Sequence, residues 1–231
     1  MSRTLDVVTS FAASVARAGA GMAVGTRAER PARPLVLYEF EACPYCRKVR
    51  EALSILDLDV LIRPCPRGGP RFREEVRRQG GRVQLPYLVD PNAGRALYES
   101  DDIVRHLFAA YGDGNVPALL ALPVVTDVTS GLASLCRPTR GRTYRAARHP
   151  ERPLELWSFE ASPYCRLVRE ALCELELEYV LHNVAQGSPQ REAFVARSGR
   201  MQVPYLADPN TGAALFESAD IVRYLDRTYA S

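Results

Sequence analysis

The apolar residues of this chain form short runs that predict alternating strands and helices. Residues 35–40 are an apolar-rich run of strand length, which is typical of a buried strand. Directly after it, Cys46, Val49, Leu53 and Leu56 recur at spacings of three and four, which places them on one helical face. This alternation favours an α/β protein in which helices cover a sheet.

The pattern continues through residue 112. Residues 58–63 predict a second strand, and residues 71–79 predict a polar helix. Two apolar stretches within 85–98 flank an Asp-Pro-Asn-Ala-Gly turn and predict a hairpin. The acidic segment 99–102 then starts a last helix, for which Ser100 is the predicted N-cap. The order is therefore βαβ, then α, then ββα.

The same series occurs twice. Residues 35–53 recur as 154–172 at an offset of 119 residues, and matching strands, turns and helices follow. An amphipathic segment precedes each copy, over 4–18 and 124–135, so the repeated unit includes a helix and a connector.

The repeat predicts the fold class and the domains. The expected fold is α/β, with two tandem domains, each a four-stranded mixed sheet with flanking helices, each preceded by an extra helix and connector. The predicted segments are 1–32 (helix and connector), 33–112 (first domain), 113–151 (helix and Arg-rich connector) and 152–231 (second domain).

Composition excludes several classes of function. A net charge of +3 over 231 residues gives no reason to expect a nucleic-acid partner. Six cysteines and three scattered histidines, with a single C-x-x-C pair, predict no metal site. The longest apolar run, residues 116–125, is too short to cross a bilayer and contains two prolines.

The candidate chemistry lies where the first strand meets its helix. Pro44 fits the first helical position, so Cys43 is expected at the helix N-terminus, whose partial positive charge favours a thiolate. A strand followed by C-x-x-C at a helix start predicts a thioredoxin-like redox unit, so both tandem domains are expected to be thioredoxin-like. Glu41 disfavours a second negative charge nearby. Three cations close in sequence could offset this effect: Arg47, Lys48 and Arg50.

Three motifs in register resemble a known family. They are Cys-Pro-Tyr-Cys at 43–46, a Leu-Pro some 40 residues later, and a Glu-Ser at a helix start, and each has a counterpart in the second copy. They are similar to glutaredoxins, and more so to the thioredoxin-like N-terminal domain of glutathione S-transferases, over about 33–112 and 152–231. The helical second domain of a full transferase is missing, because neither connector is long enough to hold it.

The resemblance implies roles for individual residues. Cys43 matches the attacking thiol and Cys46 the resolving thiol. Pro86 matches a cis-proline, and the backbone of Leu85 before it would pair with the cysteinyl part of glutathione. The residues that would hold the γ-glutamyl end are Glu99 and Ser100.

In the second copy a serine replaces the attacking thiol. The matching positions are Ser162, Cys165, Val203, Pro204, Glu217 and Ser218. A serine hydroxyl cannot exchange with disulfides, so this copy is expected to bind glutathione or to serve as scaffold. The tyrosines inside the two turns, Tyr45 and Tyr164, are either core residues or walls of a glutathione site.

These observations predict a glutathione-dependent thiol-disulfide oxidoreductase with Cys43 as nucleophile. Its expected partners are glutathione and glutathionylated or disulfide-containing proteins, and its expected location is the cytoplasm, with organelle import as an alternative. Two other functions stay open. One is a non-enzymatic glutathione-binding module that docks a partner or a membrane surface through the arginines of 137–152. The other is a transferase-like enzyme without the helical domain. The oligomeric state is not predicted.

Overall fold

The computed structural model describes residues 21–25, 30–121 and 140–231. In its first half the elements are β1 Leu35–Glu39, α1 Pro44–Ile55, β2 Val60–Pro64, α2 Phe72–Gly80, β3 Tyr87–Asp90, β4 Arg95–Leu97, α3 Ser100–Tyr111 and α4 Ala118–Ala121. In its second half they are β5 Leu154–Ser158, α5 Pro163–Glu174, β6 Tyr179–Asn183, α6 Gln190–Ser198, β7 Tyr205–Ala207, β8 Ala214–Phe216 and α7 Ser218–Tyr229. The amphipathic segments predicted at 4–18 and 124–135 lie outside the described residues.

The predicted fold class is confirmed, since each half has four strands in mixed orientation and helices on the sheet. Strand β1 pairs in parallel with β2 and antiparallel with β3, and β3 pairs antiparallel with β4. Strands β5–β8 repeat the same pairings. Both halves therefore have the connectivity that the repeated sequence pattern predicts.

The two halves share one sheet. Strand β2 pairs antiparallel with β6, with Leu61 opposite Val180, so the strand order is β4-β3-β1-β2-β6-β5-β7-β8. The junction protects an edge in each half, because an unpaired strand edge would otherwise expose its backbone groups. One apolar core, with Leu53 and Leu172 at its centre, runs beneath both halves on the side of α1 and α5.

The connectors cross between the halves. Segment 21–25 lies beside Gln186, whose carbonyl accepts from Val24 N–H at 2.8 Å. At the equivalent place in the other half, Arg67 donates its N–H to the carbonyl of Arg142 at 2.6 Å. Each connector thus contacts both halves, since Gly25 N–H also donates to the Ile55 carbonyl at 3.0 Å and Arg145 N–H to the Glu174 carbonyl at 2.7 Å.

The predicted N-cap of the last helix of the first half is wrong by one residue. The cap residue of α3 is Glu99, and its side chain makes no capping hydrogen bond. Glu99 has a φ of 62°, which turns the chain so that Ser100 is already helical. Glu217 repeats this conformation before α7, with a φ of 65°. Positive φ is uncommon for a residue with a side chain.

A buried aspartate ties the hairpin of the first half to α3. Asp90 accepts hydrogen bonds from Tyr111 Oη at 2.7 Å and from the backbone N–H of Asn92 at 2.9 Å, and it contacts His106 Nε2 at 2.8 Å. Burial acts to raise the pKa of Asp90, but these partners outweigh it and lower the pKa to about 2. The ionised carboxylate is therefore the stable form in the folded chain.

Replacing Asp90 with alanine is expected to lower the free energy of unfolding by about 3 kcal/mol, because the donors around a buried carboxylate lose their acceptor. The depressed pKa means that this contribution is complete above about pH 4 and is lost as the pH falls towards 2. Urea unfolding from pH 2 to 7 measures both effects. The exposed Arg105→Ala is the control, with an expected change within about 0.5 kcal/mol, and an equal loss in both variants would contradict the prediction.

Candidate active site

One edge of the sheet gathers the segments that carry the three motifs. Strand β1 runs to Glu39 at this edge, and α1 begins at Pro44 directly after it. Tyr38 is opposite Tyr87, so the antiparallel β3 begins at the same edge, immediately after Pro86. The antiparallel pairing of β3 with β4 brings the end of β4, and hence the start of α3, to this edge as well.

Cys43 is the N-cap residue of α1. Its Sγ accepts the backbone N–H of Cys46 at 3.3 Å. The Cys46 thiol next to it is the largest influence that lowers the pKa of Cys43, the backbone N–H groups of Cys46 and Tyr45 lower it further, and burial and the carboxylate of Glu39 oppose them. The net direction is downward, so the first thiol of the pair is the one that favours the thiolate.

Cys46 has the opposite electrostatic character. It is fully buried, and burial together with the neighbouring Cys43 raises its pKa. The two thiols are therefore differentiated, since the pKa of the outer thiol is lowered and the pKa of the inner thiol is raised. Such a difference suits a nucleophile followed by a resolving thiol.

Cys43 lies just beneath the surface. Cys43 is only 4% exposed, whereas Tyr45 in the same turn is 48% exposed. Tyr164 is 47% exposed at the matching place in the second half. The two tyrosines are thus surface residues beside the turns and do not belong to the core, and a substrate that reaches Cys43 must displace part of what covers it.

The second half reproduces this geometry with oxygen in place of sulfur. Ser162 is the N-cap residue of α5, and its Oγ accepts the backbone N–H of Cys165 at 3.3 Å. Cys165 is fully buried, and burial raises its pKa. The N-cap position of this helix therefore carries a hydroxyl in place of a thiol.

The residues assigned to glutathione lie around both turns. The peptide bonds Leu85–Pro86 and Val203–Pro204 are both cis. Glu99 and Glu217 are exposed, and the serines that follow them are buried. In both halves the helix that starts at this serine has no side-chain cap, which leaves its first backbone N–H groups available to an anion.

In each half a glutamine, which the sequence analysis missed, links the loop before the cis-proline to the residue that precedes the last helix. Gln84 Nε2 donates to Glu99 Oε1 at 2.5 Å, and Gln202 Nε2 donates to Glu217 Oε1 at 2.5 Å. Its sequence signal was available, since a glutamine precedes the X-Pro pair by one residue in both copies.

The turns of the two halves meet in a buried cluster of charges. Arg50 Nε contacts Glu160 Oε2 at 3.0 Å, and Arg169 Nε contacts Glu41 Oε2 at 3.1 Å, so each arginine reaches the glutamate of the other half. Arg50 also pairs with Glu39. All five side chains are at most 2% exposed.

Two of the three cations expected to compensate Glu41 lie elsewhere. Lys48 Nζ contacts Asp101 Oδ1 at 2.5 Å, and Arg47 Nε contacts Glu51 Oε1 at 3.0 Å. Of the three, only Arg50 reaches Glu41, with Nη2 at 3.3 Å from Oε2. Sequence proximity on a helix misled here, because residues one or two apart point in different directions.

One difference between the halves accompanies the loss of the thiol. Glu39, whose pKa burial raises to about 7, has Ser158 as its counterpart in the second half. Both positions influence the second cysteine of their own half, since Glu39 raises the pKa of Cys46 and Ser158 lowers that of Cys165. The half with two thiols is therefore the half with a carboxylate beside them.

The other described cysteines are buried. Burial raises the pKa of both Cys65 and Cys173. No group of three or more possible metal ligands occurs among the described residues, and none of their helices is long and apolar enough to cross a membrane.

The comparisons with known proteins give the following. The model of the glutathione S-transferase N-terminal domain family matches residues 37–117 and 156–231. Among solved structures, TDR1, a trimeric glutathione transferase of Leishmania, is similar at 15% sequence identity, with 87% of this chain and 68% of that chain covered and a TM-score of 0.29. No curated protein matches.

Proposed function

This chain belongs to the glutathione S-transferase N-terminal domain family, and on that premise we propose that it is a glutathione-dependent thiol-disulfide oxidoreductase. Cys43 is the nucleophile and Cys46 the resolving thiol. The second half binds glutathione or acts as scaffold. The substrates are proteins that carry a disulfide or a glutathione adduct.

One observation carries the proposal. Cys43 Sγ sits at the start of α1, accepts a backbone N–H at 3.3 Å and has a lowered pKa, whereas the matching atom of the second half is the Oγ of Ser162. A thiolate at a helix N-terminus is the reactive form of cysteine. A hydroxyl in the same geometry donates or accepts a hydrogen bond but does not exchange with a disulfide.

The reaction balances without a further oxidant or reductant. The Cys43 thiolate attacks the glutathione sulfur of a protein–glutathione disulfide, so the Cys43–glutathione bond forms and the protein leaves as a thiolate that takes up a proton. A second glutathione thiolate then attacks the bound glutathione sulfur, which yields glutathione disulfide and restores the Cys43 thiolate. Alternatively Cys46 attacks Cys43, releases glutathione and forms the Cys43–Cys46 disulfide.

The chemistry around the site fits glutathione. Its γ-glutamyl carboxylate needs donors, and the uncapped start of α3 at Ser100 provides backbone N–H groups. Its α-amino group needs an acceptor, and the exposed Glu99 carboxylate is adjacent. The Leu85 backbone before the cis bond is the proposed partner of the cysteinyl part. Val203, Glu217 and Ser218 provide the same groups beside Ser162.

Glutathione disulfide is expected to oxidise Cys43, either to a glutathione adduct or to the Cys43–Cys46 disulfide, and to leave Cys165 unmodified. The reason is that Cys43 has the lowered pKa, whereas Cys165 is fully buried with a raised pKa. Mass spectrometry of tryptic peptides after treatment of the native protein, with trapping by acid, measures both sites. Cys43 is itself only 4% exposed, so the experiment also tests whether the reagent reaches it. Failure of Cys43 to react would contradict the proposal, as would preferential modification of Cys165.

The docking alternative uses arginines that have partners in the fold. Arg145 contacts Asp226 at 2.8 Å and Glu174 at 3.2 Å, and Arg148 donates to the Thr228 carbonyl at 2.9 Å. These contacts fasten the connector to α7 and α5. The oxidoreductase proposal is therefore preferred, and it includes a compartment where glutathione is kept reduced, such as the cytoplasm.

A further inference from the structure

The turn that carries Cys43 is held from the second half. Arg169 of α5 donates twice to Glu41, from Nε to Oε2 at 3.1 Å and from Nη2 to Oε1 at 3.2 Å. Glu41 is two residues before Cys43 in sequence and 128 residues from Arg169. Two parallel hydrogen bonds from a guanidinium fix the orientation of a carboxylate as well as its position.

Gly141, in the connector before the second half, supports the same turn. The carbonyl of Gly141 accepts the N–H of Ala42 at 3.4 Å and the thiol of Cys173 at 3.3 Å, and the Gly141 N–H donates to Glu174 at 2.9 Å. Gly141 has a φ of +63°, and an added Cβ would lie 2.8 Å from the Cβ of Glu41. A side chain at residue 141 would therefore push directly on the turn.

The charges around this turn explain why the contact matters for a thiolate. Two carboxylates, Glu39 and Glu41, lie within four residues of Cys43 and disfavour a further negative charge. Arg50 of the first half is shared between Glu39 and Glu41. Among the residues that the structure describes, the other cations within 4.0 Å of Glu41 come from the second half, with Arg169 Nε at 3.1 Å and Arg166 Nε at 3.9 Å.

We propose that the second half completes the active site of the first, with Arg169 and Gly141 as positioning residues that hold Glu41 and the turn presenting Cys43. The inference rests on the proposed function of Cys43. The proposal gives a role to the second half, which has a serine at the position of Cys43 but supplies Arg169 and, from its connector, Gly141.

The structure supplies a matched control. Gly21, in the connector before the first half, has a φ of +77° and lies against the turn of Ser162, where an added Cβ would be 3.1 Å from the Cβ of Glu160. Gly21→Ala and Gly141→Ala therefore each place a Cβ in close contact with one of the two equivalent turns. Cys43 is carried by the turn that Gly141 contacts, and Ser162 by the turn that Gly21 contacts.

The test is the rate at which iodoacetamide alkylates Cys43, followed by peptide mass spectrometry from pH 4 to 10 in the full chain. In Arg169→Met the midpoint of the pH profile is expected to rise by about one pH unit, since Glu41 loses its main partner. Adding Glu41→Gln to Arg169→Met is expected to bring the midpoint back towards that of the wild type. A role in folding alone would not produce this restoration.

The glycine pair decides the question if Arg169→Met does not fold. Gly141→Ala is expected to slow alkylation of Cys43 about tenfold, whereas Gly21→Ala leaves it within about twofold. Equal rates in the two glycine variants, or an unchanged midpoint in folded Arg169→Met, would overturn this inference and leave the proposed function standing. An unreactive Cys43 in the wild-type chain would overturn the proposed function first.

Discussion

Replacement of Cys43 by serine is expected to reduce glutathione-coupled disulfide reduction to the uncatalysed background. The variant gives the first half the same helix start as the second, where the Oγ of Ser162 accepts a backbone N–H at 3.3 Å. The fold is therefore expected to be kept, while the atom that exchanges with disulfides is gone. The measurement is turnover of a glutathione mixed disulfide, coupled to reduction of the glutathione disulfide formed.

Cys165→Ser is the matched control, because it makes the same cysteine-to-serine change at a thiol of the second half. Its turnover is expected to stay within about twofold of the wild type, since Cys165 has a raised pKa and no thiol partner at residue 162. Full turnover in Cys43→Ser together with loss in Cys165→Ser would show that the roles of the two halves are reversed.

Replacement of Glu160 by alanine is expected to give the largest loss of stability, about 3–5 kcal/mol. Glu160 contacts both Arg50 and Arg169 at 3.0 Å, and all three side chains are at most 2% exposed. Removing the carboxylate takes away one of the two glutamates that the buried guanidinium groups of Arg50 and Arg169 share, and leaves only Glu41 between them. The measurement is denaturant unfolding, with the far-ultraviolet circular dichroism signal as readout.

The same substitution changes the dependence of stability on pH. Burial acts to raise the pKa of Glu160, but the charges of Arg169 and Arg50 outweigh it and lower the pKa to about 2. Its contribution is therefore complete above about pH 5 and is lost as the pH falls towards 2. Glu155→Ala, which removes a partly exposed pair with Arg197, is the control and is expected to cost at most about 1 kcal/mol. A smaller loss in Glu160→Ala than in this control would contradict the prediction.

The two halves do not contribute equally to these expectations. The first half holds the dithiol and the carboxylate Glu39, and the second holds Ser162 and Ser158 at the same places. The mirror-related cross-contacts, by contrast, are present on both sides, through Arg50 and Glu160 as well as Arg169 and Glu41. Duplication of one unit accounts for the shared contacts, and the two halves can differ at residues 43 and 162 because the contacts that join them do not require sulfur.

Much of each half was predictable because its determinants are local. The apolar spacing after Pro44 predicts α1, which spans Pro44–Ile55, and the turn residues between 90 and 94 predict the hairpin of β3 and β4. The order of elements, the repeat and the family resemblance all follow from short stretches of sequence. The bend at Glu99 could not be predicted in this way, since a glutamate followed by a serine carries no sequence signal for a positive φ.

Two copies of one fold and a cysteine at the start of one helix could be predicted from the sequence, because spacing and turn chemistry act between neighbours along the chain. The joining of the copies in one sheet by β2 and β6, and the pairing of Arg169 with Glu41, emerge only in the folded chain. Those contacts join residues more than 100 positions apart, and a strand edge or a buried arginine has many equally suitable partners until the chain is folded.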